Sequence, residues 1–278
     1  MSIYTFCGGS QTGKSHESKN IVCQDALCHA EGDGFFVVAV ADGLGSCKHS
    51  DIASRMATAE TTAHCAKNIC RDMQDGEIIS IIETAFDNAN FSIKHFAGEF
   101  LNEYDTTLTL AVYINGTVFF GHAGDSGIIA LRRDGIFEAV TQPQLGSGYG
   151  KERAVYPLAA KAKWVFGKYE HTAKAIFLMT DGVLNKAVPP LLHAQKYKLD
   201  HAYLFYLYDN LCKNPNVQSW ISQELSNIPP QEVNYDDKTL AAVMCNSLKI
   251  KLKPKSYYNF PSNKLWNTLL EKQNNELY

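Results

Sequence analysis

The sequence predicts an α+β fold in which antiparallel β-sheets are covered by helices. Three observations support this prediction. Apolar, strand-like segments lie before, between and after two long amphipathic helical patterns. Neighbouring strand-like segments are joined by hairpin turns, of which Asn115-Gly116 is the clearest. The regular alternation of strand and helix that is typical of a parallel sheet is not evident in the sequence.

The strands follow from apolar content and turn residues. Phe35 to Ala41 is apolar throughout, which is typical of a buried strand. Asn115-Gly116 separates two further strands, and Arg133-Asp134-Gly135 follows the next one. The remaining strands are predicted at Thr106 to Ile114, Thr117 to Ala123, Ile128 to Arg132, Ala175 to Thr180 and Thr239 to Cys245. From Leu248 onward, the alternation of apolar residues with lysine predicts an edge strand protected by charge.

Apolar residues spaced three and four apart predict the helices. The first pattern runs from Ile52 to Cys70, with Ser50 or Asp51 as its cap. The second runs from Ile78 to Ile93 and is expected to extend to about Leu101. Shorter helices are predicted around His201 to Leu211, around Val217 to Leu225 and from Ser262.

The composition is that of an ordinary folded protein. Of the 278 residues, 45% are hydrophobic and 20% are charged, and no linker divides the chain, so we expect a single domain over residues 1–278. Residues 142–174 are rich in glycine and are expected to form a loop-rich excursion, and residues 249–278 a C-terminal extension. The net charge of -3 gives no reason to expect a nucleic-acid partner.

The sequence also indicates a cytoplasmic protein without a membrane partner. The N-terminus lacks the basic and apolar regions of a signal peptide, and the apolar runs are too short to span a bilayer. The eight cysteines form no C-x-x-C pair, and no histidine pair lies at zinc-finger spacing. We therefore expect reduced thiols and no zinc site.

One short stretch matches the pattern of a phosphate-binding loop. Gly8 to Ser15 fits G-x-x-x-x-G-K-[ST]. Such a loop follows a buried strand and opens an apolar helix, but only seven residues precede Gly8. We interpret the match as chance.

Acidic residues lie at one end of four strands. Asp42, Asp125 and Asp181 each follow an apolar run, and Asp236-Asp237 precedes the last one. If these strand ends converge, the carboxylates repel one another, and burying them unpaired is costly. Divalent cations would remove that cost, and an oxygen-only ligand set favours magnesium or manganese over zinc or copper. Asp-Gly is also a common turn, so a single such site would carry little weight.

Six short motifs occur in a fixed order along the chain. They are C-Q-D-A (Cys23 to Ala26), V-A-D-G-L-G (Val40 to Gly45), D-T-T-L (Asp105 to Leu108), H-A-G-D-S (His122 to Ser126), L-M-T-D-G-V (Leu178 to Val183) and D-D-K-T (Asp236 to Thr239). In this order the chain resembles the type-2C, or PPM, family of metal-dependent protein phosphatases, especially its compact bacterial branch. The resemblance implies two stacked antiparallel β-sheets flanked by helices, a four-layer α-β-β-α sandwich with a two-metal site at one end.

The resemblance also implies an activity and a set of ligands. The phosphate esters of phosphoserine and phosphothreonine in proteins would be hydrolysed by water that two Mn²⁺ or Mg²⁺ ions activate. Asp42 would bridge the two ions and Gly43 would offer its carbonyl to one of them. Asp181 and Asp236 would complete the ligands of the other ion, so that Asp42, Asp181 and Asp236 are the predicted catalytic residues.

Further residues and partners are implied in the same way. Asp25 would lie near the second metal, and Asp125 would help to bind a third, weaker one. Residues 142–174 would form the variable flap of the family, next to substrate. The expected partners are a phosphorylated protein and a cognate serine/threonine kinase as the opposing enzyme.

Three departures from the family pattern keep alternatives open. Gln24 stands where relatives carry glutamate, and Leu44 stands where some relatives have a histidine that can act as general acid. The phosphate-binding arginine is missing upstream, so His16 or Lys19 is predicted to bind substrate instead. The first alternative is a phosphoprotein-binding pseudophosphatase with weak or no catalysis, and the second is a hydrolase of small phosphate esters.

Overall fold

The computed structural model describes residues 3–146, 155–188, 199–228 and 235–259, together with residue 268. Within these residues the chain forms ten strands and seven α-helices. The strands are β1 (Tyr4–Gln11), β2 (Ala26–Glu31), β3 (Phe35–Ala41), β4 (Leu108–Ile114), β5 (Thr117–Ala123), β6 (Gly127–Arg132), β7 (Phe137–Ala139), β8 (Val165–Lys168), β9 (Ala173–Met179) and β10 (Lys238–Cys245). The helices are α1 (Lys14–Glu17), α2 (Ser50–Asn68), α3 (Asp75–Ala97), α4 (Asp181–Ala187), α5 (His201–Lys213), α6 (Val217–Asn227) and α7 (Lys255–Tyr258), with 3₁₀ turns at Gly98–Glu103 and Lys161–Lys163.

The strands form two antiparallel sheets. Sheet one has the order β1-β10-β9-β6-β7 and sheet two the order β2-β3-β4-β5-β8. Between the sheets lies an apolar core to which Val38, Tyr113, Ile176 and Val243 contribute, each fully buried. Because two sheets face each other through this core, neither inner face is left to solvent.

The outer faces of the sheets are covered by helices. Sheet two packs against α2 and α3 through a second core that includes Phe86 and Leu110. Sheet one packs against α4, α5 and α6 through a third core that includes Phe177 and Leu204. The predicted four-layer α-β-β-α sandwich is confirmed.

Most predicted elements are present with small shifts at their ends. β3 and β5 have the predicted bounds, and β4 begins at Leu108 rather than Thr106 because Thr106 and Thr107 bond to the chain beyond β3. The second long helix ends at Ala97, where Gly98 adopts a φ of 54° and a 3₁₀ turn follows. The helices predicted around residues 201–211 and 217–225 are confirmed as α5 and α6.

Two predictions for the C-terminal part have different outcomes. The edge strand expected from Leu248 is wrong, since no strand follows Cys245 in the described residues. Leu248 packs against the core between the sheets, whereas Ile250 packs against the core under α5 and α6. The helix expected from Ser262 lies outside the described residues, apart from helical residue 268.

The stretch that resembles a phosphate-binding loop is part of a sheet. Gly8 to Gln11 belong to β1 and pair with Ala241, Leu240, Thr239 and Lys238 of β10. The backbone of these residues is therefore extended within a strand and does not form a loop around a phosphate. The match to a phosphate-binding loop is thus a chance match. One premise of that interpretation was wrong, because the few residues before Gly8 do belong to a strand, β1.

The structure also describes the cysteines and the lengths of the helices. All eight cysteines are unpaired, and Cys7, Cys47, Cys65 and Cys245 are buried while Cys70 and Cys212 are exposed. In the part of the chain that the structure describes, no helix is long and apolar enough to cross a membrane.

Candidate active site

The acidic strand ends of both sheets meet at one end of the sandwich. In sheet two, Ala26 pairs with Ala41, which places Asp25 beside Asp42. In sheet one, Met179 pairs with both Gly127 and Leu240, so the chain near Asp181 lies between the segments that carry Asp125 and Asp236. The convergence that the sequence suggested is therefore produced by strand order and register.

Two threonines of the D-T-T-L motif hold the backbone of Asp42. Its N–H donates to Oγ1 of Thr107 at 2.9 Å, and its carbonyl accepts from Oγ1 of Thr106 at 2.9 Å and from the N–H of Thr107 at 2.8 Å. Asp42 thus leaves β3 in a direction that is fixed through its backbone alone.

Gly43 is required by close packing. A Cβ atom at this position would lie 2.7 Å from the carbonyl oxygens of both Gln24 and Ser50. The N–H of Gly43 donates to the Gln24 carbonyl at 3.1 Å. Glycine therefore allows the chain after Asp42 to turn against the start of β2.

A hydrogen-bonded chain links Asp25 to sheet one. Oδ2 of Asp25 accepts from Oγ1 of Thr180 at 2.7 Å, and the same Thr180 hydroxyl oxygen accepts from the N–H of Thr239 at 2.9 Å. Asp25 precedes β2, whereas Thr180 directly follows β9 and Thr239 belongs to β10. This chain of hydrogen bonds therefore links the two sheets beside the carboxylates.

Burial and mutual repulsion raise the pKa values of the carboxyl groups. Desolvation, offset in part by hydrogen bonds, raises the pKa of Asp25 to about 8 and that of Asp125 to about 6. Desolvation, followed by repulsion from neighbouring carboxylates, raises the pKa of Asp42 and Asp181 well above the ordinary value. The pKa of Asp236 is raised mainly by desolvation. The cluster therefore binds protons, or another cation, more readily than isolated aspartates do.

The donor set fits a hard cation. Oδ1 of Asp25 and Oδ1 of Asp125 are buried and have no hydrogen-bond partner among the described residues. Oxygen donors without nitrogen or sulfur suit magnesium and manganese. In the described part of the chain, however, no group of three or more His, Cys, Asp or Glu side chains is already arranged to hold a metal ion.

The two predicted substrate-binding residues lie in different environments. His16 is buried, and its Nδ1 lies 2.9 Å from Oδ2 of Asp237. Lys19 is exposed in the turn that follows α1. Asp237 itself was not assigned a role from the sequence, although it stands beside Asp236 in the D-D-K-T motif.

The described part of the excursion at residues 142–174 borders the site. The N–H of Gln144 donates to the Gly124 carbonyl at 2.7 Å, and the N–H of Gly124 donates to Oε1 of Gln144 at 3.1 Å. Leu158 is buried and its N–H donates to the Thr106 carbonyl at 2.7 Å. The excursion was predicted to be longer than it is, because β8 and the first residues of β9 fall within it.

Gln24 is buried beside the carboxylates. Its Nε2 donates to the Cys47 carbonyl at 3.4 Å, and its buried Oε1 has no hydrogen-bond partner in the described residues. The side chain therefore points towards the loop before α2 rather than into the sheet.

We expect Gln24→Glu to tighten cation binding. A carboxylate adds a charge where Oε1 is unsatisfied, and the gain should be about 1–2 kcal/mol if it reaches the ion or its waters. The manganese concentration for half-maximal activity should fall accordingly in a titration of both proteins. A lower melting temperature with unchanged or weaker manganese dependence would count against this placement of Gln24.

His122 is a core histidine whose two ring nitrogens both have hydrogen-bond partners. It is 1% exposed, with Nδ1 at 2.9 Å from Oγ1 of Thr109 and Nε2 at 3.0 Å from the Gln142 carbonyl. Desolvation lowers its pKa from 6.5 to about 4. It therefore folds as the neutral imidazole.

This pKa shift predicts a loss of stability in acid. In the unfolded chain His122 takes up a proton as the pH falls below 6.5, whereas in the folded chain it does so only near pH 4. The stability that the neutral ring contributes is therefore fully present above pH 6.5 and is lost as the pH falls towards 4. Between pH 6.5 and 4.5 the loss should be about 2–3 kcal/mol. His122→Gln should lose correspondingly less over this range in urea denaturation, and parallel profiles for both proteins would contradict the assignment.

The comparison with family models identifies the class of protein. The model described as protein phosphatase 2C matches residues 12–226, which is most of the chain. The chain belongs to the protein phosphatase 2C family. The matched residues contain Asp25, Asp42, Asp125 and Asp181 but end before Asp236. A search of curated proteins finds no significant match.

Three bacterial proteins of known structure have the same fold. The serine/threonine phosphatase of S. agalactiae is 16% identical, with a TM-score of 0.65 over 87% of this chain and 99% of that one. PppA of Pseudomonas aeruginosa, described as a key regulatory component of T6SS, is 20% identical, with a TM-score of 0.61 over 87% and 98%. The Mycobacterium tuberculosis serine/threonine phosphatase PstP/Ppp is 17% identical, with a TM-score of 0.61 over 87% and 99%. At these identities the similarity shows the fold.

Proposed function

We propose that this protein hydrolyses phosphoserine and phosphothreonine in protein substrates, with Mn²⁺ or Mg²⁺ as cofactor. The observation that carries the proposal is the convergence of five aspartates, Asp25, Asp42, Asp125, Asp181 and Asp236, from both sheets of a protein phosphatase 2C fold. Their raised pKa values and unsatisfied oxygens support a role in holding cations.

Each aspartate would have its own role in cation binding. Asp42, fixed by its two threonines, would be shared by two ions, with the Gly43 carbonyl beside it. Asp181 and Asp236 would hold one of these ions, Asp25 would orient the surroundings of the other, and Asp125 would contribute to a third. When bound, such ions lower the pKa of water and offset the charge that builds on a transferring phosphoryl group.

The phosphate group of the substrate needs a further positive charge. Lys19 is exposed in the segment that leads to Asp25 and is the side chain that we propose for this contact. A lysine acts as a point charge and not as the two-pronged donor that arginine provides. Weak binding of phosphate monoesters would follow. His16 was a second candidate, but its Nδ1 is already engaged by Asp237.

Assays on three kinds of substrate test the proposal. Purified protein with Mn²⁺ should release phosphate from phosphoserine and phosphothreonine peptides faster than from a phenyl phosphate at equal concentration. Chelation should abolish both activities. Faster turnover of the phenyl phosphate would instead indicate a hydrolase of small phosphate esters.

A pseudophosphatase is the second candidate function. The neutral Gln24 and the lack of a ready ligand arrangement in the described residues favour it. Such a protein would bind the phosphopeptide in a calorimetric titration and release no phosphate.

The phosphatase that we propose would act on phosphorylated proteins in the cytoplasm, opposite a serine/threonine kinase.

A further inference from the structure

One buried carboxylate gathers three hydrogen bonds from the segment between β1 and β2. Asp237 is 2% exposed. It accepts from the N–H of Gly13 at 2.7 Å, from the N–H of Gln24 at 2.6 Å and from Nδ1 of His16 at 2.9 Å. Since Gly13 and Gln24 lie at the two ends of the segment, a single side chain closes it.

The segment has little regular structure of its own. Within residues 12–25, all of them described, α1 with four residues is the only helix. Ser15 adds two contacts to the Tyr235 carbonyl, from its N–H at 3.0 Å and from its hydroxyl at 2.8 Å. A Cβ at Gly13 would lie 2.2 Å from the carbonyl carbon of Asp236. The segment is therefore fastened tightly to the residues that precede β10.

The position of Asp25 depends on this fastening. The N–H of Gln24 is held by Asp237, and the carbonyl of Gln24 accepts from Oγ of Ser54 at 2.6 Å and from the N–H of Gly43 at 3.1 Å. The peptide units on either side of Gln24 are thus held both by the start of β10 and by the chain that follows β3. Asp25 is the next residue.

The geometry points to Asp237 as a positioning residue, which fixes the Gly13–Gln24 segment and thereby sets the carboxylate of Asp25 for cation binding. This inference rests on the cation site of the proposed function. Asp237 acts through Asp25 rather than as a ligand, because its Oδ1 already accepts one hydrogen bond and its Oδ2 two. The equivalent contacts of Asp236 are fewer, and Asp236 keeps partial exposure.

The variant Asp237→Asn tests the assignment. It keeps the shape of the side chain but replaces one acceptor oxygen by a donor, so at least one of the three donors loses its partner. In the metal-free protein, amide hydrogen exchange should become faster in residues 13–24 and stay slow in β3 and β10. In a calorimetric titration with MnCl₂, affinity should fall about 10–100-fold, the usual cost of losing a group that orients a metal ligand.

Two matched variants serve as controls. His16→Ala removes one donor and leaves both backbone contacts of Asp237, so it should weaken Mn²⁺ binding less than Asp237→Asn does. Glu224→Gln alters a carboxylate that is 8% exposed in the outer helix layer, where it contacts Lys186 and Tyr206. It should lower the melting temperature without changing Mn²⁺ affinity.

The outcomes separate this inference from the proposed function. Unchanged exchange in residues 13–24 and unchanged Mn²⁺ affinity in Asp237→Asn would overturn the role of Asp237, as would an equal loss of affinity in Glu224→Gln. If the wild-type protein binds no Mn²⁺, the proposed function fails. Hydrogen exchange in Asp237→Asn then still decides whether Asp237 fixes the Gly13–Gln24 segment. Should Asp237→Asn not fold, the same two measurements on His16→Ala decide, with faster exchange and a small loss of affinity expected.

Discussion

Asp42→Asn should reduce phosphopeptide turnover at least about 10²-fold, the scale on which loss of one electrostatic contact to a reacting group is felt. Asparagine keeps the size of the side chain and removes the charge that two cations would share. Because the backbone of Asp42 bonds to Thr106 and Thr107 independently of the carboxylate, the fold should remain intact. Steady-state kinetics at saturating Mn²⁺, together with a melting curve, measure both effects.

A distant aspartate provides the control for this variant. Asp134 lies in the turn after β6, at the opposite end of the sheets, where it pairs with Arg132. Asp134→Asn should leave turnover unchanged. If Asp42→Asn retained near-normal turnover, the assignment of the shared ligand would be wrong.

Manganese should raise the melting temperature of the protein. The carboxylates repel one another in the metal-free state, and a cation that binds only the folded chain stabilises it by mass action. At about 100 times the dissociation constant the gain is about 2.7 kcal/mol, which corresponds to roughly 5 °C for a chain of this size. Differential scanning fluorimetry with and without millimolar Mn²⁺ measures the shift.

The shift should be larger at pH 8 than at pH 6. The folded-state pKa of Asp25 is raised to about 8 from 3.8, so its protonated form stabilises the folded chain at low pH and this contribution is lost as the pH rises towards 8. The free energy of unfolding of the metal-free protein should therefore fall between pH 6 and pH 8. Protons also compete with Mn²⁺ for the same oxygens at the lower pH. A shift that is equal at both pH values would contradict the placement of these carboxyl groups at a cation site.

The sequence predicted those strands whose side chains are buried along their whole length. β3, β4 and β9 are buried at every position, and their apolar runs were visible without the structure. β1 was missed because Gly8, Gly9 and Ser10 interrupt its apolar residues, and it forms by pairing with β10. Pairing with a distant strand is a tertiary effect that a local pattern does not report.

The incorrect strand near the C-terminus has a different cause. Alternation of apolar residues with lysine after Leu248 has the period of a strand, yet Leu248 and Ile250 pack against two separate cores. The segment alternates between these two cores without pairing as a strand, and its only backbone contact to the turn after β6 that is described is from the N–H of Lys251 to the Arg133 carbonyl at 2.8 Å. Periodicity of two therefore reports alternate burial, and strand pairing needs a neighbouring edge as well.

The candidate site was predictable in its aspartates and not in the residues that position them. Asp42, Asp125 and Asp181 follow buried strands, so their residue type and place in the pattern were informative. The role of Asp237 arises only when the fold brings Gly13 to it from 224 positions away. No spacing in the sequence encodes that contact.

The most direct test of the cation site is an anomalous difference map from crystals grown with MnCl₂, recorded at the manganese edge. We expect two strong peaks at the end of the sandwich where both sheets supply aspartates, with Asp42 within coordination distance of both and Asp181 and Asp236 beside one. A map without peaks among these carboxylates, from protein that nevertheless hydrolyses phosphopeptides, would contradict this expectation.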